Sequence, residues 1–437
     1  MEKKLRNGIF LGLIFALLLS LPVSLLLKKP RQHSYTENRD LTQFQPVTIE
    51  GITSGEFQEN FSQAVSDQSY FRDQALQLNS RLRQLLSRWS YAVAGLFQKA
   101  AEPDASNHGD AAPAVPSLPG KLLDTFSANA LYEMDGEDYL IQLPFTYEED
   151  VDQAIAQHAK EFGVLHQALP DAVIIVDAIE LAFLSAANPL NAYYPQAVAG
   201  RYVDTLQQNL PQEVVGISQR FSRKEELLQA FYRTDHHFKA SLAKEVYHTL
   251  YQELSLCGQL GPELELTEFE VPNSVMMGSK ARAELYDGIQ ELLTDLQGEL
   301  PLLEVYINGK SAARSDPQRV TSGELMELAK ENGGYQAFYS EYFGYDYGEV
   351  KYVNPQAEND RCLLLIGPSY TQTFEKFLAS HYSRCYVVDP RHYAEDMGES
   401  FHVIDYARRI GADDIVYFIQ PQYLAEDVWQ VVPGGEK

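Results

Sequence analysis

Cysteine is scarce in this chain. Its 437 residues hold three, Cys257, Cys362 and Cys385. An odd number, with no C-x-x-C pair and no Cys/His zinc spacing, excludes a disulfide scaffold and a zinc finger or ribbon. Buried free thiols are the expectation. Basic residues are outnumbered as well, 35 Lys and Arg against 61 Asp and Glu, for a net charge of −26. A surface of that sign repels phosphate backbones and anionic headgroups, which excludes nucleic acid as a partner. No internal repeat is present, so a solenoid or propeller is excluded too.

What is present begins at the N-terminus. Lys3, Lys4 and Arg6 precede an uncharged apolar run over residues 9–27. As a helix, such a run spans roughly 28 Å, close to the hydrocarbon thickness of a bilayer. Pro22 is tolerable in a lipid-embedded helix. No small-x-small cleavage site follows; Lys28, Lys29 and Pro30 do. A retained transmembrane anchor over residues 1–30 is therefore expected in place of a cleaved signal peptide. Basic residues flank both ends and leave the orientation open on charge alone. The shortness of the leading tail places the large domain outside the cytoplasm. The expected location is the cell membrane, single-pass.

Residues 31–98 read as a helical membrane-proximal segment. Phe57, Phe61, Val65, Leu76, Leu82, Leu85 and Leu86 recur at three-to-four spacing, which predicts one helix over residues 55–89. Residues 99–120, rich in Ala, Pro, Asp and Gly, read as a flexible linker or insertion. From residue 121 to 437 strands alternate with helices. Residues 172–176, 302–307, 362–366, 386–388 and 414–419 are predicted strands, most of them continuously apolar. The stretches after Val151, 373–380 and 401–412 are predicted helices. Apolar strands between helices indicate an α/β domain with a doubly wound parallel sheet covered on both faces. In such sheets the chemistry sits in loops past the carboxyl ends of strands.

Two local patterns can carry chemistry. After the strand ending at Ile366 comes Gly367-Pro368-Ser369-Tyr370. A serine on a sharp strand-to-helix turn presents its hydroxyl beside backbone N–H donors, the geometry of a nucleophile elbow. Gly367 lets backbone approach a substrate closely. The bland alternative is an N-cap serine in an ordinary turn. The second pattern is Asp235-His236-His237 before a helix marked by Leu242, Val246, Leu250 and Leu254. A carboxylate two residues before an imidazole can bond its Nδ1–H and leave Nε2 as a general base. A solvated polar cap is the bland alternative here. A metal site from Asp235, His236 and His237 with His248 or His392 is the rival reading. Adjacent histidines point apart and no H-x-H or H-x-x-x-H accompanies them, so no metal and no cofactor is expected.

The segment YRTDHHFKASLAKEVYHTL resembles the DHHW-family proteins of bacteria, which are similar to the SGNH-hydrolase-like alginate O-acetyltransferases. Glu37-Asn38-Arg39, the Asp67-x-x-Tyr70-Phe71-Arg72 segment and LLLIGPSYTQTFEKFLASHYSRCYVVDPRHY, with its Asp389-Pro390-Arg391, follow the same order along the chain. The resemblance implies an SGNH-hydrolase-like fold with a triad of Ser369, His237 and Asp235, and an elbow of Gly367 and Ser369 whose Ser369 N–H serves the oxyanion hole. It departs from the family at Phe238, where Trp is usual, and at Pro368, which removes an N–H before the serine. The implied function is an SGNH-like esterase or O-acyltransferase acting on a cell-envelope polysaccharide, with a membrane protein as acyl donor. The alternative is a catalytically inactive envelope protein that binds glycan.

Overall fold

The computed structural model describes residues 30–34, 39–69, 120–256, 259–312, 336–344 and 346–432, with scattered residues from 72 to 89 and from 324 to 330. The expected anchor at residues 9–27, residues 99–119 of the expected linker or insertion and Cys257 lie outside them. Among the described residues no helix is long and apolar enough to cross a membrane. The chain divides into two compact units, one of Met1–Leu118 with Ala281–Gly288, the other of Pro119–Lys280 with Ile289–Lys437.

In the first unit, a two-residue hairpin, β1 (His33–Ser34) and β2 (Arg39–Asp40), precedes helices Ile49–Ser54 and Glu56–Gln68. The predicted single helix is interrupted. Ser69 adopts extended backbone and closes the second helix. Its buried residues are Ala64 and Asp67, while Phe61 of the apolar stripe is half exposed. Asp67 is buried because it works as an anchor. Its Oδ2 accepts the Thr42 N–H at 3.0 Å and its Oδ1 accepts Gln63 Nε2 at 3.2 Å.

The second unit opens with an antiparallel sheet, β3 (Lys121–Thr125), β4 (Asn129–Met134) and β5 (Glu137–Gln142). Then come β6 (Val173–Ile179), β7 (Val215–Gln219), the pair β8 (Thr267–Val275) and β9 (Leu292–Gln297), β10 (Glu304–Ile307), β11 (Lys310–Ser311), β12 (Glu349–Val353), β13 (Cys362–Ile366), β14 (Arg384–Val388) and β15 (Asp414–Ile419). The main sheet has eight strands in the order β11-β10-β12-β14-β13-β15-β6-β7. From β14 to β7 neighbouring strands are parallel; β12 runs antiparallel to both β14 and β10. The sheet is thus mixed, which corrects the expectation of a wholly parallel one. The reason is visible in burial. β13 and β15 are buried at every position and β10 is buried at one of four. Strands covered on both faces read as apolar runs, and strands half in solvent alternate.

Leu364, Ile366, Ile415 and Phe418 sit at the centre of the core with Leu242, Val246, Leu250 and Leu254 of helix Ala240–Ser255. That helix also carries Tyr247, whose hydroxyl accepts the Leu264 N–H at 2.9 Å and lies 2.9 Å from Nε2 of buried His381. The Tyr247 hydroxyl donates to Nε2, so His381 is held neutral, and burial pushes its imidazole down to about 4 from 6.5. The unfolded chain takes up a proton near pH 6.5 that the folded chain refuses until about pH 4. Stability is therefore fully present above pH 6.5 and falls as the pH drops toward 4, by about 2–3 kcal/mol. Urea unfolding at pH 7 and pH 4.5 checks this: His381→Gln, which can still accept from Tyr247, should lose less stability on acidification than the parent chain.

Candidate active site

The loop that leads into helix Ala240–Ser255 is pinned at its neck. Phe231 and Phe238, both buried, face one another in an antiparallel bridge. The Tyr232 N–H donates to the His237 carbonyl at 3.1 Å, and the Lys239 N–H to Ala230 at 2.8 Å. Glu291 holds the near side, accepting the N–H of Arg233 at 2.9 Å and that of Thr234 at 2.7 Å. A loop bound at so many backbone positions fixes the two side chains at its tip.

Those side chains are Asp235 and His237, both buried. Asp235 Oδ1 accepts His237 N–H at 3.0 Å and lies 2.6 Å from His237 Nδ1; Oδ2 accepts the Ser279 N–H at 2.6 Å. Burial alone raises a carboxyl pKa. Here the neighbouring His236 and His237 charges and the His237 hydrogen bonds outweigh it and hold Asp235 well below the usual carboxylate range. An ionised Asp235 only accepts, so the proton of its bond with His237 sits on Nδ1. In the neutral imidazole, the form that can act as a base, Nε2 is then the unprotonated nitrogen, and it lies 2.9 Å from Ser369 Oγ. The serine hydroxyl donates to the imidazole, as a nucleophile donates to its base. Asp235, His237 and Ser369 are thus brought into one hydrogen-bonded row from positions 132 residues apart.

Ser369 stands at the carboxyl end of β13, as the first residue of a 3₁₀ turn, Ser369–Thr373, that precedes helix Glu375–Ala379. The expected helix at residues 373–380 is there as Glu375–Ala379. Gly367 N–H donates to Val388 at 3.0 Å, and a Cβ there would meet Thr371 Cγ2 at 2.5 Å and the Phe418 carbonyl at 2.9 Å. Gly367 is needed for the elbow's own packing, which differs from the expected close approach to substrate. With Gly367 engaged and Pro368 lacking an N–H, the elbow's backbone donors start at Ser369.

The residues around the row carry no signature in the sequence. Tyr339 stacks on His237, ring centroids 3.6 Å apart and planes 4° off parallel, and its hydroxyl reaches toward the Ser369 carbonyl at 3.4 Å. Tyr370 flanks His237 at 4.7 Å. Gly278 makes room for Asp235, since a Cβ there would lie 2.4 Å from Asp235 Cβ and 2.5 Å from the Thr234 carbonyl. A small cavity beside Ser369, about 20 Å³, is lined by Asp346, Gln372 and Asp389 among others. His236 stands beside the row. Its ring lies 4.0 Å from that of His237 and its Nδ1 is 2.6 Å from Ser279 Oγ.

Two groups of metal-ligand type converge among the described residues, Asp235-His236-His237 and Asp346-Asp389-His392. In the first, both His237 nitrogens are already engaged. In the second, both Asp389 oxygens accept the Arg391 guanidinium, at 2.9 and 2.5 Å. His248 and His392 do not join Asp235: His248 pairs with Glu263 at 2.6 Å, and His392 lies 3.7 Å from Asp346.

A mixed α/β sheet thus carries a serine, a histidine and an aspartate in one hydrogen-bonded row past a strand's carboxyl end, an arrangement in which a serine can act as a nucleophile. Two known structures share the fold of the sheet-bearing unit. PatB1 of Bacillus cereus, solved with a sulfonyl adduct, superposes with a TM-score of 0.50 at 16% identity, over 66% of this chain and 96% of its own. A DHHW family protein of Eubacterium siraeum gives 0.51 at 15% identity, over 70% of this chain and 94% of its own. An O-acetyltransferase domain of Pseudomonas putida AlgJ is more distant, 0.37 at 12% identity over 66% of this chain and 90% of its own. No protein-family model and no curated protein matches the chain. The likeness drawn from short sequence motifs therefore has a counterpart in fold, with a DHHW protein among the similar structures.

Proposed function

We propose that this protein is an O-acyltransferase or esterase that moves acetyl groups on the hydroxyls of an envelope glycan. The observation that carries the reading is the pair of contacts on His237, Nδ1 to Asp235 at 2.6 Å and Nε2 to Ser369 Oγ at 2.9 Å. Ser369 Oγ attacks the acyl carbonyl while His237 Nε2 takes its proton. The tetrahedral oxyanion falls to the Ser369 N–H, with the Gln372 amide on the wall of the same cavity as the second donor. Collapse expels the leaving group, which recovers the proton from His237. A glycan hydroxyl, or water, then attacks the acyl-serine, giving its proton to His237 and returning Ser369 to the alcohol. Asp235 fixes the tautomer and favours the imidazolium at each step.

The neighbouring fold with a sulfonyl adduct supplies the test. A sulfonyl fluoride should react with Ser369 and raise the protein's mass by one sulfonyl group, and Ser369→Ala should remove the gain. Absence of labelling in a folded, urea-stable sample would sink the acyl-enzyme reading. The second reading is a glycan binder without turnover. Pro368 and the engaged Gly367 N–H favour it, because they thin the backbone donors at the elbow. We extend the first reading to its setting: anchorage by residues 9–27, an extracytoplasmic catalytic unit, and a membrane partner that supplies the acyl group.

A further inference from the structure

The geometry points to a second binding site, a groove of about 650 Å³ that takes an uncharged stretch of glycan chain at the same sheet edge as Ser369. This inference rests on the acyl-transfer reading and names its substrate class. The groove is separate from the small cavity beside Ser369 and is of the size that holds small-molecule ligands. On one side it is lined by Gln142, Phe145 and Glu148, and on the other by Gln422 and Glu426.

Phe145 is the anchor. Its backbone is held from both sides, its N–H donating to Phe183 at 3.0 Å and its carbonyl accepting from Val198 at 2.8 Å. Its ring packs on Phe183 with centroids 4.3 Å apart, yet 46% of the residue stays exposed. A rigid aromatic with one face supported and the rest open costs little ordering entropy when it receives a flat apolar surface. The C–H face of a pyranose is such a surface.

The polar lining sets the sign of the ligand. Among the described residues no Lys, Arg or His lines the groove. Glu148 and Glu426 are acceptors only, and Gln422 Oε1 is buried without a hydrogen-bond partner while its Nε2 donates to Gln420 at 2.7 Å. A lining rich in acceptors suits a ligand rich in O–H and N–H donors. It repels carboxylates and phosphates, as does the chain's charge of −26. A neutral polyhydroxylated chain satisfies the aromatic face and the acceptors; a uronate polymer does not.

Position links the groove to the chemistry. Gln422 and Glu426 belong to the segment that leaves the carboxyl end of β15. β15 pairs in parallel with β13, whose carboxyl end leads to Ser369. Neighbouring strands lie about 4.8 Å apart, so the two loops emerge side by side.

The test uses the full chain carrying Ser369→Ala, which binds without turning over, and isothermal titration with two probes. The N-acetylglucosamine tetramer stands for a neutral chain and the galacturonate tetramer for an anionic one of equal length. The neutral tetramer should bind with a Kd of roughly 1 mM or tighter, and at least tenfold more tightly than the anionic one. Adding Phe145→Ala should weaken it tenfold or more in a chain that still melts in one cooperative transition. Equal affinity for both probes, no binding of the neutral one, or no effect of Phe145→Ala overturns the inference. Sulfonyl labelling of the parent chain reports separately on Ser369. Labelling without groove binding leaves the enzyme and removes the groove, and the converse leaves a binder.

Discussion

Replacing Ser369 with Ala should lower acetyl-ester turnover by roughly 10⁴-fold or more, and His237→Ala should do the same. The double variant should be no slower than either single one. The reason is the shared row of hydrogen bonds. Ser369 Oγ is a weak nucleophile until His237 Nε2, 2.9 Å away, removes its proton. Without the serine the base has nothing to activate, and without the base the serine stays an alcohol. Groups that act as a unit lose their effect together. His236→Ala is the control. His236 bonds Ser279 and is neither the nucleophile nor the base of the row, so its loss should cost far less. Initial rates on 4-nitrophenyl acetate and on an acetylated sugar would measure all four proteins. Losses in the two single variants that multiply in the double would mean that Ser369 and His237 act independently, and the row would have no catalytic meaning.

That much was legible because each member of the row carries a local signature. Ser369 follows five apolar residues that read as a buried strand, and the buried strand is there as Cys362–Ile366. Asp235 and His237 are two apart, and a spacing of two lets a carboxylate reach the Nδ1 of its own neighbour. The helix after them declares itself by Leu242, Val246, Leu250 and Leu254, all buried in Ala240–Ser255. The residues that hold the row in place have no such signature. Ser279, which satisfies the second oxygen of Asp235, is 44 positions away. Tyr339, stacked on His237, and Glu291, which anchors Thr234, are common residue types in stretches that reveal no period. Ser279 and Glu291 arrive there because they follow β8 and precede β9, and Tyr339 because Ala337 bridges Met276. The sheet shows the same division. β13 and β15 announce themselves because both faces are buried. β12 and β10 are partly in solvent, carry Glu and Lys, and pair antiparallel without a local sign of it. The apolar stripe of Phe57 and Phe61 misleads for the opposite reason, since the helix buries Ala64 and Asp67 instead.

Gly278→Ala should disable the site from a position that never meets the substrate. The added Cβ would stand 2.4 Å from Asp235 Cβ and 2.5 Å from the Thr234 carbonyl oxygen. Neither atom is the far end of a flexible side chain. One belongs to the backbone, and the other is a single bond from it. Relief therefore requires the 232–238 loop to shift, and that loop is bound by Glu291 at Arg233 and Thr234 and by Ser279 at Asp235. Overpacking of this kind costs about 1–3 kcal/mol. Whatever shift relieves it moves Asp235 and with it the Nδ1 bond that aims His237 at Ser369. A misplacement of about 1 Å can cost roughly 10²-fold in rate. The expected outcome is a folded protein with a lowered melting temperature and turnover reduced at least that much. Reaction of Ser369 with a sulfonyl fluoride should slow in parallel, because it needs the same base. Unchanged turnover in a variant whose melting temperature has fallen would show that the loop absorbs the methyl group without moving Asp235. The site would then be held more loosely than its hydrogen bonds imply.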